Sequence, residues 1–259
     1  MTFRLLSAIC ISACVTVPVA ASATTMYVHD VNGTLATVDT GTGATTIIGD
    51  LGRQLTDIAF DPFGNLFGIT FTELYSVNLQ TAATSLIGSL GIGGATGLVF
   101  GTDGTLYTAS QSETELYTVD TGTGAASSLG DIGFSSGGDL AFVGSTLYMA
   151  STTERLIEID LDPIGGTDVG PFGVSNVYGI ATADDGTLFG TAGRSIFEVD
   201  PNTGAASNSV TFSDPHLRAA YGQAFFDEAG AVIPLPAPMA LLLSGLFAFG
   251  FLRRRPQAS

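Results

Sequence analysis

The chain has 259 residues, 45% of them hydrophobic, with 34 Gly, no Trp and no Lys. All 24 acidic residues lie between Asp30 and Glu228; four of the eight arginines (Arg4, Arg253, Arg254, Arg255) lie at the two ends, leaving the interior with 24 acids, four Arg and a net charge of −20. Such a field excludes nucleic acid and anionic lipid as partners of the interior, because both require a basic footprint.

The first element is MTFRLLSAICISACVTVPVAASATT, with one positive residue, an apolar stretch and small residues at Ala21, Ser22 and Ala23. This is the layout of a cleavable secretory signal over residues 1–23, with Ala21 and Ala23 forming the cleavage motif. Ile11-Ser12-Ala13-Cys14 also resembles a lipobox, which would lipidate Cys14 instead. With cleavage after Ala23 both cysteines, Cys10 and Cys14, are removed, and the mature protein has neither disulfides nor thiolate chemistry.

The interior repeats one motif. A first element recurs as LTDIAF, ATGLVF, GGDLAF, VYGIAT and YGQAFF, and from Asp57 to Gly97, Asp139, Gly179 and Gln223 the steps are 40, 42, 40 and 44 residues. A second (GNLFGIT, GTLYTAS, STLYMAS, GTLFGTA), a third (ELYSVNL, ELYTVDT, RLIEIDL, SIFEVDP) and a weaker fourth follow each of the first four. Alternating or adjacent apolar residues between Gly, Asp, Asn and Ser predict strands, and no sustained helical period occurs outside the two ends. Asp103-Gly104 and Asp185-Gly186 mark hairpins that need positive φ.

Four strands per roughly 40 residues is the repeat of a propeller blade. TTMYVHD, GTLATVDT and ATTIIGDLG, before the first full repeat, match elements two, three and four, and the final YGQAFF is an element one with nothing after it. The two fragments complete one blade. The expected fold is therefore an all-β, five-bladed propeller with four-stranded blades over about residues 25–228, in a domain of residues 24–230, its first blade closed by the last strand. An open β-solenoid is the alternative for such a repeat. The body resembles secreted bacterial propellers with an LYxVD…TG blade pattern, in the style of NHL and quinoprotein-like repeats; the Trp-Asp signature and the tryptophan docking motif are absent.

The tail, residues 231–259, carries no charge from Ala231 to Leu252 and then three arginines. Pro234 and Pro236 break a helix, whereas Pro238 is tolerated at its start. A helix over 238–252 spans about 22 Å, short for a permanent anchor. Arg253, Arg254 and Arg255 form a positive-inside cluster that would leave the body facing outward. The order of Ile233-Pro234-Leu235-Pro236-Ala237, a short apolar helix bounded by Pro238 and Leu252, and an arginine cluster closely resembles the PEP-CTERM class of sorting signals in its VPLPA variant, with Ile233 in place of Val. The resemblance implies an exported bacterial protein, passing through an inner-membrane intermediate with transient membrane association. Signal peptidase and an exosortase-type membrane protease would process it and deliver it to the envelope surface or extracellular matrix, a setting that commonly includes exopolysaccharide and biofilm. A glycan or matrix partner is expected.

No catalytic residue, metal site or cofactor stands out. His29-Asp30 and Asp214-Pro215-His216 could meet across a closed ring, but positions in strand ends or loops explain them. Gly133-Phe134-Ser135-Ser136-Gly137 spells GxSxG without the strand-to-helix context of a nucleophile elbow. Asp39, Asp120, Asp160 and Asp200 recur at the end of the third element, where turn capping is expected. Phe67, Tyr107, Tyr148 and Phe189, and Tyr75, Tyr117 and Phe197, recur at fixed blade positions and are expected between sheets. Phe134, Arg155, Asn176 and Tyr178 lie outside the repeat and are candidates for a ligand face. The expected role is a non-catalytic binding or structural module; the alternative is an extracellular hydrolase or lyase with paired carboxylates at the channel.

Overall fold

A computed structural model describes residues 24–230. The signal segment with Ala21 and Ala23, the sorting motif at residues 233–237, the helix bounded by Pro238 and Leu252 and the cluster Arg253 to Arg255 lie outside the described residues.

The described residues form twenty strands in five four-stranded antiparallel sheets. Blade I comprises β1 (Thr25–Asp30), β2 (Thr34–Asp39) and β3 (Thr45–Asp50), completed on its inner side by β20 (Ala220–Phe225). Blade II is β4 (Asp57–Phe60), β5 (Leu66–Ile69), β6 (Glu73–Val77) and β7 (Thr84–Ser89). Blade III is β8 (Ala95–Phe100), β9 (Leu106–Ser110), β10 (Glu115–Val119) and β11 (Ala126–Asp131). Blade IV is β12 (Ser136–Val143), β13 (Thr146–Ser151), β14 (Arg155–Leu161) and β15 (Ile164–Pro171). Blade V is β16 (Val177–Thr182), β17 (Leu188–Ala192), β18 (Ser195–Val199) and β19 (Ala206–Thr211).

The ring is closed, which rules out the solenoid. β20 pairs with β1 in the register Met26↔Phe225, Tyr27↔Ala224, Val28↔Gln223 and His29↔Gly222. At the outer rim the Ser213 N–H donates to the Gly43 carbonyl (2.8 Å) and the Thr45 N–H to the Ser213 hydroxyl (3.1 Å), joining blades V and I. Closure removes the unpaired inner edges that would otherwise seed aggregation.

No single core exists. Five apolar clusters lie between neighbouring blades, one per interface. The recurring rings fill them as expected: Tyr75, Tyr117, Tyr148 and Phe197 are buried, Phe67 packs on Phe100 (centroids 5.3 Å), Tyr107 on Phe142 (5.7 Å) and Phe189 on Phe225 (5.6 Å).

Between third and fourth strands every blade shifts register at the same place, for example at Leu74/Tyr75 and Leu116/Tyr117. Bulges of this kind bend and twist the outer strand. In blades I to IV the fourth-strand residue beside the bulge is glycine (Gly49, Gly88, Gly130, Gly170). A Cβ there would meet the next blade: 2.8 Å from the Thr81 carbonyl oxygen at Gly49, 2.0 Å from that of Thr123 at Gly88, and 2.1 Å from that of Thr203 at Gly170. Adjacent blades dock turn-on-strand through these bare Cα atoms.

The turn-capping expectation holds at three of four aspartates. Asp39, Asp120 and Asp200 each accept a backbone N–H two residues on and bond a threonine hydroxyl three residues on. Asp160 caps nothing, because blade IV extends its outer hairpin: Asp160 pairs with Gly165 inside the ladder and the chain turns at Asp162-Pro163.

Candidate functional site

All five inner strands run through the ring in the same direction, so their first residues surround one mouth and their last residues the other. Asp57, Gly97, Asp139, Gly179 and Gln223 occupy equivalent positions of the repeat on the five inner strands. The three side chains among them fill the channel, with Asp57 fully buried and Asp139 and Gln223 each only 1% exposed.

Each aspartate joins two blades. Asp57 accepts the N–H of Ile58 on its own strand (2.8 Å) and of Leu98 on β8 (2.6 Å); Asp139 accepts those of Leu140 (2.6 Å) and of Ile180 on β16 (3.2 Å). The two carboxyls are also near enough to influence each other's ionisation. Two neighbouring carboxylates in a desolvated site disfavour each other's ionisation. Burial pushes both well above the usual carboxylate range, and burial together with the charge of Asp139 does the same for Glu228, which accepts the Thr182 N–H at 3.0 Å.

The mouth at the strand ends is acidic. A cavity of about 640 Å³ is lined there by Asp103, Asp184, Asp185, Asp227 and Glu228, with no arginine among its lining residues. Asp103 and Asp185 are turn caps, held low by the N–H groups of Thr105 and Thr187. Neither Asp57 nor Asp139 lines this cavity or those at the opposite mouth. The paired carboxylates required by the hydrolase alternative therefore exist but are sealed from both ends.

The main cavity at the mouth of the strand starts has no charged side chain in its lining. This cavity, about 360 Å³, is walled by Gln54, Phe71, Gln111, Tyr178 and Tyr221, over a floor of Thr56, Thr96, Gly137 and Gly138. Tyr178 and Tyr221 meet edge to face with centroids 5.5 Å apart. Thr56 donates to the Ala95 carbonyl and Thr96 to the Ser136 carbonyl, so the floor is stitched from blade to blade. A second cavity of about 190 Å³ adjoins it, sharing Gln111, Gly137 and Tyr178 and adding Glu154 and Asn176.

Of the four candidates for a ligand face, the fold brings Tyr178 and Asn176 to this mouth. Phe134 packs into the core between blades III and IV, and Arg155 is spent on an ion pair with Asp168 at 2.5 Å. Sequence reasoning missed Gln54, Phe71, Gln111 and Tyr221. A signal for two of them lies in the hairpins joining second to third strands, written TFTE, SQSE and STTE: the scaffold repeats while Phe71, Gln111 and Thr152 differ.

His29 is fully buried with neither ring nitrogen hydrogen-bonded, and burial lowers it to about 4, so it is a neutral core imidazole. The backbone N–H of His216 donates to Asp214. Among the described residues no group of three or more His, Cys, Asp or Glu is placed to hold a metal ion. Ser135 lies between β11 and β12 with no helix after it and shares a hydrogen bond with Thr152, which excludes a nucleophile elbow.

No family model and no curated protein matches the chain. Among solved structures it is similar to a chain of a nidogen/laminin complex, at 14% identity and TM-score 0.52, covering 76% of this chain and 84% of that one. It also matches Kuenenia stuttgartiensis hydrazine synthase at 17% identity and TM-score 0.43, covering 61% of this chain and about half (49%) of that chain. A third match is a symmetrical protein described by its de novo evolutionary emergence, at 18% identity and TM-score 0.46, covering 82% and 99%. The first of these likenesses shows the propeller fold.

Proposed function

We propose that this is an exported, surface-sorted protein whose propeller is a non-catalytic binding module, with the uncharged mouth as its ligand face. One observation carries the reading. In an interior of net charge −20, the cavity at one end of the channel is lined by three aromatic rings and two glutamines, with no charged side chain. A largely preformed concave site with apolar walls and a few polar groups is the usual form of a binding pocket. The sealing of Asp57 and Asp139 supports binding over hydrolysis, since acid–base groups must reach the proton they transfer.

Export and sorting rest on the resemblance of the two ends to a secretory signal and a VPLPA-type PEP-CTERM tail. Gly230, from which the tail departs, lines the acidic mouth. A chain held by its tail at the membrane would then present the uncharged mouth outward, toward the matrix and its polymers.

Two measurements test the two halves. The intact mass of the protein recovered from its host should correspond to a species starting at Thr24 and ending near Pro234-Leu235-Pro236-Ala237. A mass that retains Arg253 to Arg255 would make the tail an ordinary anchor. For the ligand face, Tyr221→Ala should weaken capture of host matrix polymers at least about tenfold, or about 1.4 kcal/mol. Unchanged capture by a folded variant would remove the mouth from the function.

A further inference from the structure

We infer that the uncharged mouth and the cavity beside it form one groove for a neutral oligosaccharide of at least two sugar units. The inference rests on the reading of that mouth as the ligand face and names what it takes.

Charge removes most alternatives. An anionic ligand would find no cation in either cavity and would approach against the field of the whole interior. A cationic ligand would find a single carboxylate, Glu154, already accepting the Asn176 N–H at 3.0 Å. A wholly apolar ligand would desolvate the amides of Gln54 and Gln111 without replacing their hydrogen bonds, which is unfavourable. What remains is a neutral molecule with apolar faces and a dense rim of hydroxyls. A sugar ring presents C–H groups on its faces and groups that both donate and accept on its edge. Phe71, 48% exposed at the rim, together with Tyr178 and Tyr221, offers surfaces for the first. The side-chain amides of Gln54 and Gln111, which make no hydrogen bond within the described residues, offer donors and acceptors for the second.

Shape sets the length. The two cavities, about 360 and 190 Å³, meet at Tyr178, Gln111 and Gly137, so the space runs from the channel axis outward over blade IV. The far wall is built with care: Glu154 and Asn176 both adopt positive φ (60° and 62°), and the Tyr178 hydroxyl donates to the Asn176 side-chain oxygen at 3.1 Å. Non-glycine residues in that region carry strain that the surrounding structure must hold in place. Tyr178 is thereby oriented from the second cavity while facing the first.

The test is a calorimetric titration of the purified chain with three panels: neutral oligosaccharides of one to six units, uronic-acid oligosaccharides of the same lengths, and uncharged peptides. Each is repeated with Tyr178→Ala, Phe71→Ala and Asn176→Ala. The expected result is binding of a neutral oligosaccharide, at least about tenfold tighter for two or three units than for one. Phe71→Ala, a change at an exposed rim position, should weaken every length. Asn176→Ala, which removes the second cavity's wall and the acceptor of the Tyr178 hydroxyl, should weaken two- and three-unit binding more than single-unit binding and so reduce the gain with length. Preferential binding of a uronate or a peptide that is lost in Tyr178→Ala would keep the mouth and overturn the sugar. Sugar binding that all three folded variants retain would overturn both readings, and so would a protein that binds none of the panels.

Discussion

At the scale of single residues, Asp57 and Asp139 hold the ring together across its axis. Each carboxyl accepts an N–H from its own strand and one from the inner strand of the next blade, so Asp57 ties blade II to III and Asp139 ties IV to V. Buried beside each other, the two favour a protonated state that the unfolded chain gives up above pH about 4. The folded values are raised by burial, as is that of Glu228, so their contribution is fully present below pH about 4 and is lost as pH rises through the folded values. His29, lowered to about 4 by burial, acts in the other sense: its contribution is present above its unfolded value near 6.5 and is lost as pH falls toward 4. Thermal melts from pH 3 to 9 should therefore give a maximum with an alkaline limb. Asp139→Asn supplies a donor to Asp57 without a proton and should flatten that limb. It also leaves one buried N–H without its acceptor, at a cost of about 1–3 kcal/mol. An alkaline limb of unchanged slope in the variant would place its origin elsewhere.

At the scale of elements, the blade repeat is held by what each fourth strand omits. Gly88 and Gly170 lie beside the outer bulge with the carbonyls of Thr123 and Thr203 on the next blade 2.0 and 2.1 Å from where a Cβ would stand. Gly88→Ala forces backbone against backbone and should cost about 1–3 kcal/mol, the range for overpacked sites. Gly93→Ala, with open space and no positive φ, should leave the melting temperature nearly unchanged. Equal melting temperatures for the two variants would remove the turn-on-strand contact from the stability of the ring. Sequence periodicity located nearly every strand, because alternating apolar residues and Asp-Gly turns act over neighbouring positions. The glycines of the weak fourth element, Gly49, Gly88 and Gly170, gave no such local signal, since the partner of each is a turn of the next blade, more than 30 residues away. The exception at Asp160 was hidden for a related reason. Its spelling matches the repeat, while the pairing of Leu161 with Ile164 carries the ladder past it to Asp162-Pro163.

At the scale of the whole molecule, the ring separates two chemistries along one axis, and the chain ends choose between them. β1 runs antiparallel to β20, so Thr25 begins beside the end of β20, and Gly230 leaves from the same side, at the acidic mouth. The uncharged mouth was invisible to a linear reading, because Gln54, Phe71, Gln111, Tyr178 and Tyr221 come from four blades and converge only when the ring closes. Composition showed the interior's net charge but not its partition, which places Asp184, Asp185, Asp227 and Glu228 at one end. This arrangement predicts that tethering at either end of the body leaves the proposed ligand face free. The chain contains no cysteine after Cys14, so single cysteines can be introduced into the body and labelled cleanly. A bulky maleimide adduct on Gln111→Cys, in the shared wall of the two adjoining cavities, should abolish ligand binding. The same adduct on Thr102→Cys, in the lining of the acidic mouth, should change affinity by less than about twofold, below 0.5 kcal/mol. Immobilisation through the C-terminus should give the affinity measured in solution. Loss of binding from the Thr102 adduct together with an indifferent Gln111 adduct would reverse the axis, placing the ligand at the acidic end beside the tail.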